Sequence, residues 1–94
     1  MIVDCYAGTP HHGEEKRFTE PSKAKNFLTD RVTRQMKQAE KFDAELHRRL
    51  GSIRQEIDSI AVPALPLKET RAWSVTDEYT GVTYTFKITR MSSS

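Results

Sequence analysis

Apolar residues recur at helical spacing for about forty residues through the middle of this chain. Leu28, Val32, Met36, Ala39, Leu46, Leu50, Ile53, Ile57 and Ile60 advance in steps of three, four or seven. At 100° per residue such steps hold the side chains in one stripe, so the spacing predicts an amphipathic helix over residues 20–60. Thr19 or Ser22 is placed to cap it, and Pro21 suits a first turn because its missing N–H would have no partner there. Glu20 complements the positive end of the helix dipole. Gly51-Ser52 offers a break, and Ser52-Ile53-Arg54-Gln55 fits a capping box. The apolar phase nevertheless runs unbroken from Leu46 to Ile60, and one mid-helix glycine costs only about 1 kcal/mol relative to alanine. The expectation is one long helix, bent near Gly51. It would extend about 60 Å, against roughly 30–35 Å for a compact domain of this length, so part of it must overhang or be covered by a partner.

A period of two marks the rest. Residues 2–7 read as a strand closed by Gly8-Thr9-Pro10, and residues 8–19 as a loop whose only large apolar residue is Phe18. Pro63 and Pro66 forbid helix in the linker 61–67, which should be extended. Trp73, Val75 and Asp77 alternate with Ser74 and Thr76, and Val82, Tyr84, Phe86 and Ile88 with Thr83, Thr85, Lys87 and Thr89. This predicts a β-hairpin over 71–91, turning at Glu78-Tyr79-Thr80-Gly81 with Gly81 supplying a positive φ, and a frayed tail over Met91–Ser94. Together these give a single α+β domain over 1–94. A small three-stranded sheet, in the order β-α-β-β, is packed by one long amphipathic helix lying on Trp73, Val75, Tyr84, Phe86 and Ile88. Thr83, Thr85, Lys87 and Thr89 then form the outer face, read as a solvated sheet surface or an edge for β-addition.

Composition narrows the function classes. A chain of 94 residues buries only about 60–65% of its unfolded surface, and a deep enzyme cleft would compete with so small a core. Cys5 is the sole cysteine, so no intramolecular disulfide is available and a reducing cytoplasm is the expected setting. The first residues carry Asp4 and lack the apolar run of a signal peptide, and nothing approaches a membrane span. The expected protein is soluble and cytoplasmic.

The net charge of +2 is mild, and its distribution says more than its total. Between Lys23 and Arg49 eight basic residues face four acidic ones. Lys23, Arg34, Lys37, Lys41 and Arg48 cluster opposite the centre of the apolar stripe, where they could follow a phosphate backbone or meet an acidic protein surface. Glu45 with Arg48 or Arg49, and Glu40 with Lys37 or Lys41, lie at spacings that would neutralise part of that face. In the preceding loop, Lys16, Arg17 and Phe18 mix charge with an aromatic anchor. The expected partner-binding set is therefore Lys16, Arg17, Phe18, Lys23, Arg31, Arg34, Lys37, Lys41 and Arg48.

Catalytic and metal signatures are weak. His11-His12 with Glu14-Glu15, completed by Cys5 or His47, matches no zinc spacing, so no metal is expected. Cys5 sits in a strand pattern and reads more simply as a small buried or edge residue than as a nucleophile, no glycine-rich phosphate loop is present, and the expectation is a protein that is not an enzyme and carries no cofactor. Trp73, Tyr84 and Phe86 fit a core better than a base-stacking platform, with Tyr79 beside the turn as the exception.

In size, in the lack of catalytic machinery and in combining a small sheet with one dominant helix, the chain resembles the small phage-encoded inhibitors of bacterial defence, anti-CRISPR proteins among them. That resemblance implies occupation of a surface on an RNA-guided effector. Many such inhibitors imitate DNA with acidic surfaces, and this chain departs from them by its basic helix. The expected function is thus a non-catalytic binding protein that docks on a larger protein or ribonucleoprotein complex and inhibits or modulates it. The alternatives are an autonomous binder of RNA or DNA phosphates, and a homodimer formed along the helix from Ala39 to Ile60, where Asp43 interrupts the repeat.

Overall fold

Asp43 divides the long apolar stripe into two helices. A computed structural model describes residues 3–11 and 13–93, and in it α1 spans Pro21–Glu40 and α2 spans Ala44–Ser59. Asp43 adopts an extended backbone (φ −151°, ψ 96°), and its carboxylate accepts the Leu46 N–H at 3.1 Å. The chain reverses over Lys41 and Phe42, with the Phe42 and Asp43 N–H groups both donating to the Ala39 carbonyl. The expected single helix bent at Gly51 is therefore corrected: the break falls eight residues earlier, and Gly51 lies inside α2. Ala39 and Leu46 are seven residues apart, so the stripe keeps its phase across the reversal and periodicity alone does not reveal it.

Folding back settles the length problem that one helix would have had. The two helices pack along each other and the whole molecule measures 49 × 21 × 18 Å. Leu28, Val32, Leu50 and Ile57 are all fully buried, so the stripe is used inside the chain. Two polar ties join the helices at their ends. The Lys25 ammonium donates to the Asp58 and Ile60 carbonyls at 2.6 and 3.0 Å, and His47 Nδ1 donates to the Met36 carbonyl at 2.9 Å.

The start of α1 also differs from expectation. Pro21 occupies the first turn as predicted, but Glu20 is the N-cap residue and no side chain caps the helix, so neither Thr19 nor Ser22 is used. Ser52 caps nothing either: its hydroxyl donates to the Arg48 carbonyl one turn back.

The sheet has four antiparallel strands, not three, in the order β2-β1-β4-β3. These are β1 (Val3–Thr9), β2 (Lys16–Phe18), β3 (Thr70–Thr76) and β4 (Thr83–Ser93). The added strand is β2, which lies in the segment expected to be loop. Its three residues are too few and too charged to show an alternation, and only pairing to β1 (Tyr6 opposite Phe18, Ala7 opposite Arg17, Gly8 opposite Lys16) defines it. The same cause corrects the tail. Met91 to Ser93 are not frayed but continue β4, because β1 runs beside them as far as Val3 opposite Ser93. Ile2, His12 and Ser94, each part of a sequence expectation above, lie outside the described residues.

The β3–β4 hairpin forms in the expected place. Asp77 N–H donates to the Val82 carbonyl and Gly81 N–H to the Asp77 carbonyl, both at 2.8 Å, while Gly81 takes φ 75°. The linker is not wholly extended, since Val62–Ala64 makes a 3₁₀ turn. That turn lets Val62 and Leu65 bury against the core. Helix and sheet meet over Tyr6, Val75, Phe86 and Ile88, with Trp73 and Tyr84 packed partly buried at the margin. The opposite sheet face is lined by threonines, tied in pairs by hydroxyl bonds Thr70–Thr89 (2.7 Å) and Thr76–Thr83 (3.0 Å).

Candidate docking surface

A single phenylalanine organises much of the basic surface. Phe27 stands on the side of α1 nearest β2, where the Phe18 ring lies 5.6 Å away at a tilt of 49°. The Lys16 ammonium sits 5.4 Å from the Phe27 ring centroid and the Arg31 guanidinium 5.5 Å. Both distances suit cation–π attraction. Strand alternation explains the meeting: Lys16 and Phe18 share the helix-covered side of the sheet with Tyr6 and Gly8. Sequence reading named Lys16, Phe18 and Arg31 but missed Phe27. Its signal was available, as an aromatic outside the apolar stripe and four residues before Arg31.

From this cluster a row of cations follows the outer side of α1. Arg34, Lys37 and Lys41 are exposed and form no ion pair among the described residues. Lys37 and Lys41 border a shallow concavity with Gln38, Glu40 and Phe42. Phe42 is 85% exposed, a large apolar side chain in the helix reversal that has no role in the core. The row thus runs between two aromatics, Phe27 within α1 and Phe42 in the reversal that follows it.

Three members of the expected set stand apart from the row. Lys23 pairs with Glu20 at 3.8 Å. Arg17 lies opposite Ala7 on the helix-free side of the sheet, where it pairs with Glu15 at 3.5 Å. Arg48 belongs to α2 and is engaged by Glu45, which also accepts from Arg49 at 3.1 Å. The Arg48 bonds hold the Glu45 carboxyl below the usual carboxylate range, and Glu45 in turn raises the Arg48 guanidinium.

Residues considered for chemistry are placed elsewhere. Cys5 is buried in β1 opposite Met91, and His47 is bonded to the α1 backbone. Among the described residues no three His, Cys, Asp or Glu side chains gather as a metal site, and no helix is long and apolar enough to cross a membrane. No protein-family model, curated protein or solved structure matches the chain.

Proposed function

We propose that this chain is a non-catalytic binding protein that docks α1 and β2 on an acidic surface of a larger protein or ribonucleoprotein assembly and modulates it by occupying that surface. The observation that carries the reading is the row Arg34, Lys37 and Lys41, exposed and unpaired among the described residues, continuing into the Lys16–Phe27–Arg31 cluster. Cations without internal partners leave their charge available to steer an acidic partner, and they give up no intramolecular pair on binding. Phe27 and Phe42 add apolar contact at either end, the arrangement in which anchors fix register and charges select the partner.

The test is affinity capture from bacterial lysate with and without nuclease, comparing the wild-type chain with the triple variant Arg34→Glu, Lys37→Glu, Lys41→Glu. One defined protein assembly should be retained by the wild type in both lysates and lost by the variant. Undiminished capture by the variant removes this face from the function. Capture that disappears after nuclease treatment makes a phosphate backbone the ligand instead.

A further inference from the structure

The two edges of the sheet are built differently. At one side β2 is three residues long and carries Lys16 and Arg17, a short basic edge that discourages strand addition. At the other, β3 runs seven residues, Thr-Arg-Ala-Trp-Ser-Val-Thr, with Arg71 as its one charge and neither lysine nor proline. Among the described residues it is hydrogen-bonded as a strand on one side only, to β4. An edge of that length without protection is a template for another strand.

We infer that β3 is a homodimer edge: two copies of this chain pair antiparallel through Thr70–Thr76 about a two-fold axis at Ser74, joining the sheets into one of eight strands. A two-fold axis perpendicular to the sheet keeps both helix layers on one face, so only registers that match inward with inward residues are allowed. Centring on Ser74 sets Trp73 against Val75 of the second copy, Ala72 against Thr76 and Arg71 against Asp77. Trp73 then meets Val75, apolar on apolar, and the cation Arg71 comes beside the acid Asp77, whose buried carboxylate also accepts from Tyr79 and Thr80 of its own turn. Moving the axis to Trp73 instead places Glu69 opposite Asp77, like against like. Moving it to Val75 sets Trp73 against Asp77.

The flank of α2 above this edge has the same symmetry. Arg49, Ser52 and Ile53 line one groove with Ser74, Val75 and Thr76. Glu56 and Ser59 line the next, beside Arg71, Ala72 and Trp73. Arg49 holds Glu45 at 3.1 Å and Glu78 at 3.8 Å within its own copy, and the axis at Ser74 carries it toward Glu56 of the other copy as a further acid, twice, with the small Ser52 between the two pairs. This charge complementarity selects a second copy as the occupant over an unrelated strand. The basic row on α1 lies toward the far edge, over β1 and β2, so each dimer carries two of them.

Two experiments on the full chain test the register. In sedimentation velocity the wild type should run as a dimer of twice 10.8 kDa. Arg49→Glu or Glu56→Arg alone should weaken the dimer about tenfold, and the double swap Arg49→Glu with Glu56→Arg should restore it. Rescue separates the interface from a loss of folding. In the second experiment Ser74→Cys should crosslink under mild oxidation, because each Ser74 faces its own copy, whereas Thr76→Cys should not. A wild type that stays monomeric at every concentration overturns the inference, as does a dimer indifferent to both single reversals or one that crosslinks equally in the Ser74→Cys and Thr76→Cys variants.

Discussion

Arg90 clasps Asp4 across the first and last strands, its Nη2 and Nε donating to the same Asp4 oxygen at 2.7 and 3.2 Å. The guanidinium also gives Nη1 to the Leu65 carbonyl at 2.9 Å, and the Arg90 carbonyl accepts from Lys68 N–H at 2.7 Å. One residue near the C-terminus thereby fixes β1, β4 and the linker that returns from α2. Arg90→Ala removes a charged donor from a half-buried site with three acceptor contacts. We expect a loss of about 2 kcal/mol, read as a melting point lower by roughly 10 °C in thermal circular dichroism. A shift within error of wild type would show that the clasp adds nothing to stability.

Two glycines should respond in opposite directions. Gly51 has helical backbone, and a Cβ there meets only the Met36 methyl at 3.5 Å, an ordinary contact. Gly51→Ala should therefore stabilise the protein by about 0.5–1 kcal/mol. Gly81 has open space around it but sits at φ 75°, where a side chain is strained. Gly81→Ala should cost about 1 kcal/mol. Urea unfolding of both variants checks the pair, and stabilisation at position 81 would contradict the turn geometry.

Acid should act on the hairpin turn through Asp77. Its carboxylate accepts the Tyr79 N–H at 2.9 Å and the Thr80 hydroxyl at 3.0 Å, and these bonds, Tyr79 first, hold the carboxyl below its ordinary value. A carboxyl depressed in the folded state contributes stability that is complete above its unfolded value near 3.9 and is lost as pH falls through the lower folded value. Denaturation midpoints measured from about pH 5 down to pH 2 should fall, and fall less steeply in Asp77→Asn. Parallel acid limbs in the two proteins would assign the acid sensitivity to other groups.

Phe27 offers a test of the proposed docking surface that leaves net charge untouched. Phe27→Leu keeps the residue apolar and should change stability by less than about 1.5 kcal/mol, while removing the ring that holds Lys16 and Arg31. Partner capture should weaken, and Arg31→Ala should weaken it to a similar extent. Unchanged capture in a folded Phe27→Leu protein would mean that the two cations act without the ring between them.

Local patterning carried much of this protein. The period of two placed the β3–β4 hairpin and its turn at Gly81, because side-chain alternation and a positive φ are properties of a few neighbouring residues. Helical periodicity likewise named Leu28, Val32, Leu50 and Ile57 as core, and the wheel put Arg34, Lys37 and Lys41 on the outside. Tertiary structure decided what distant segments do to one another. Whether Asp43 capped a new helix or merely interrupted a long one depended on two halves of the stripe sharing one sheet, and a seven-residue step looks the same either way. Lys16–Phe18 became a strand only because β1 lay beside it, and Met91–Ser93 stayed ordered for the same reason. The division of the basic residues followed from pairing too: Glu45 engages Arg48 and Glu15 engages Arg17, while Arg34, Lys37 and Lys41 form no ion pair among the described residues. Periodicity reports which side of an element is apolar; which elements meet is decided by burial and hydrogen bonding between residues far apart in the chain.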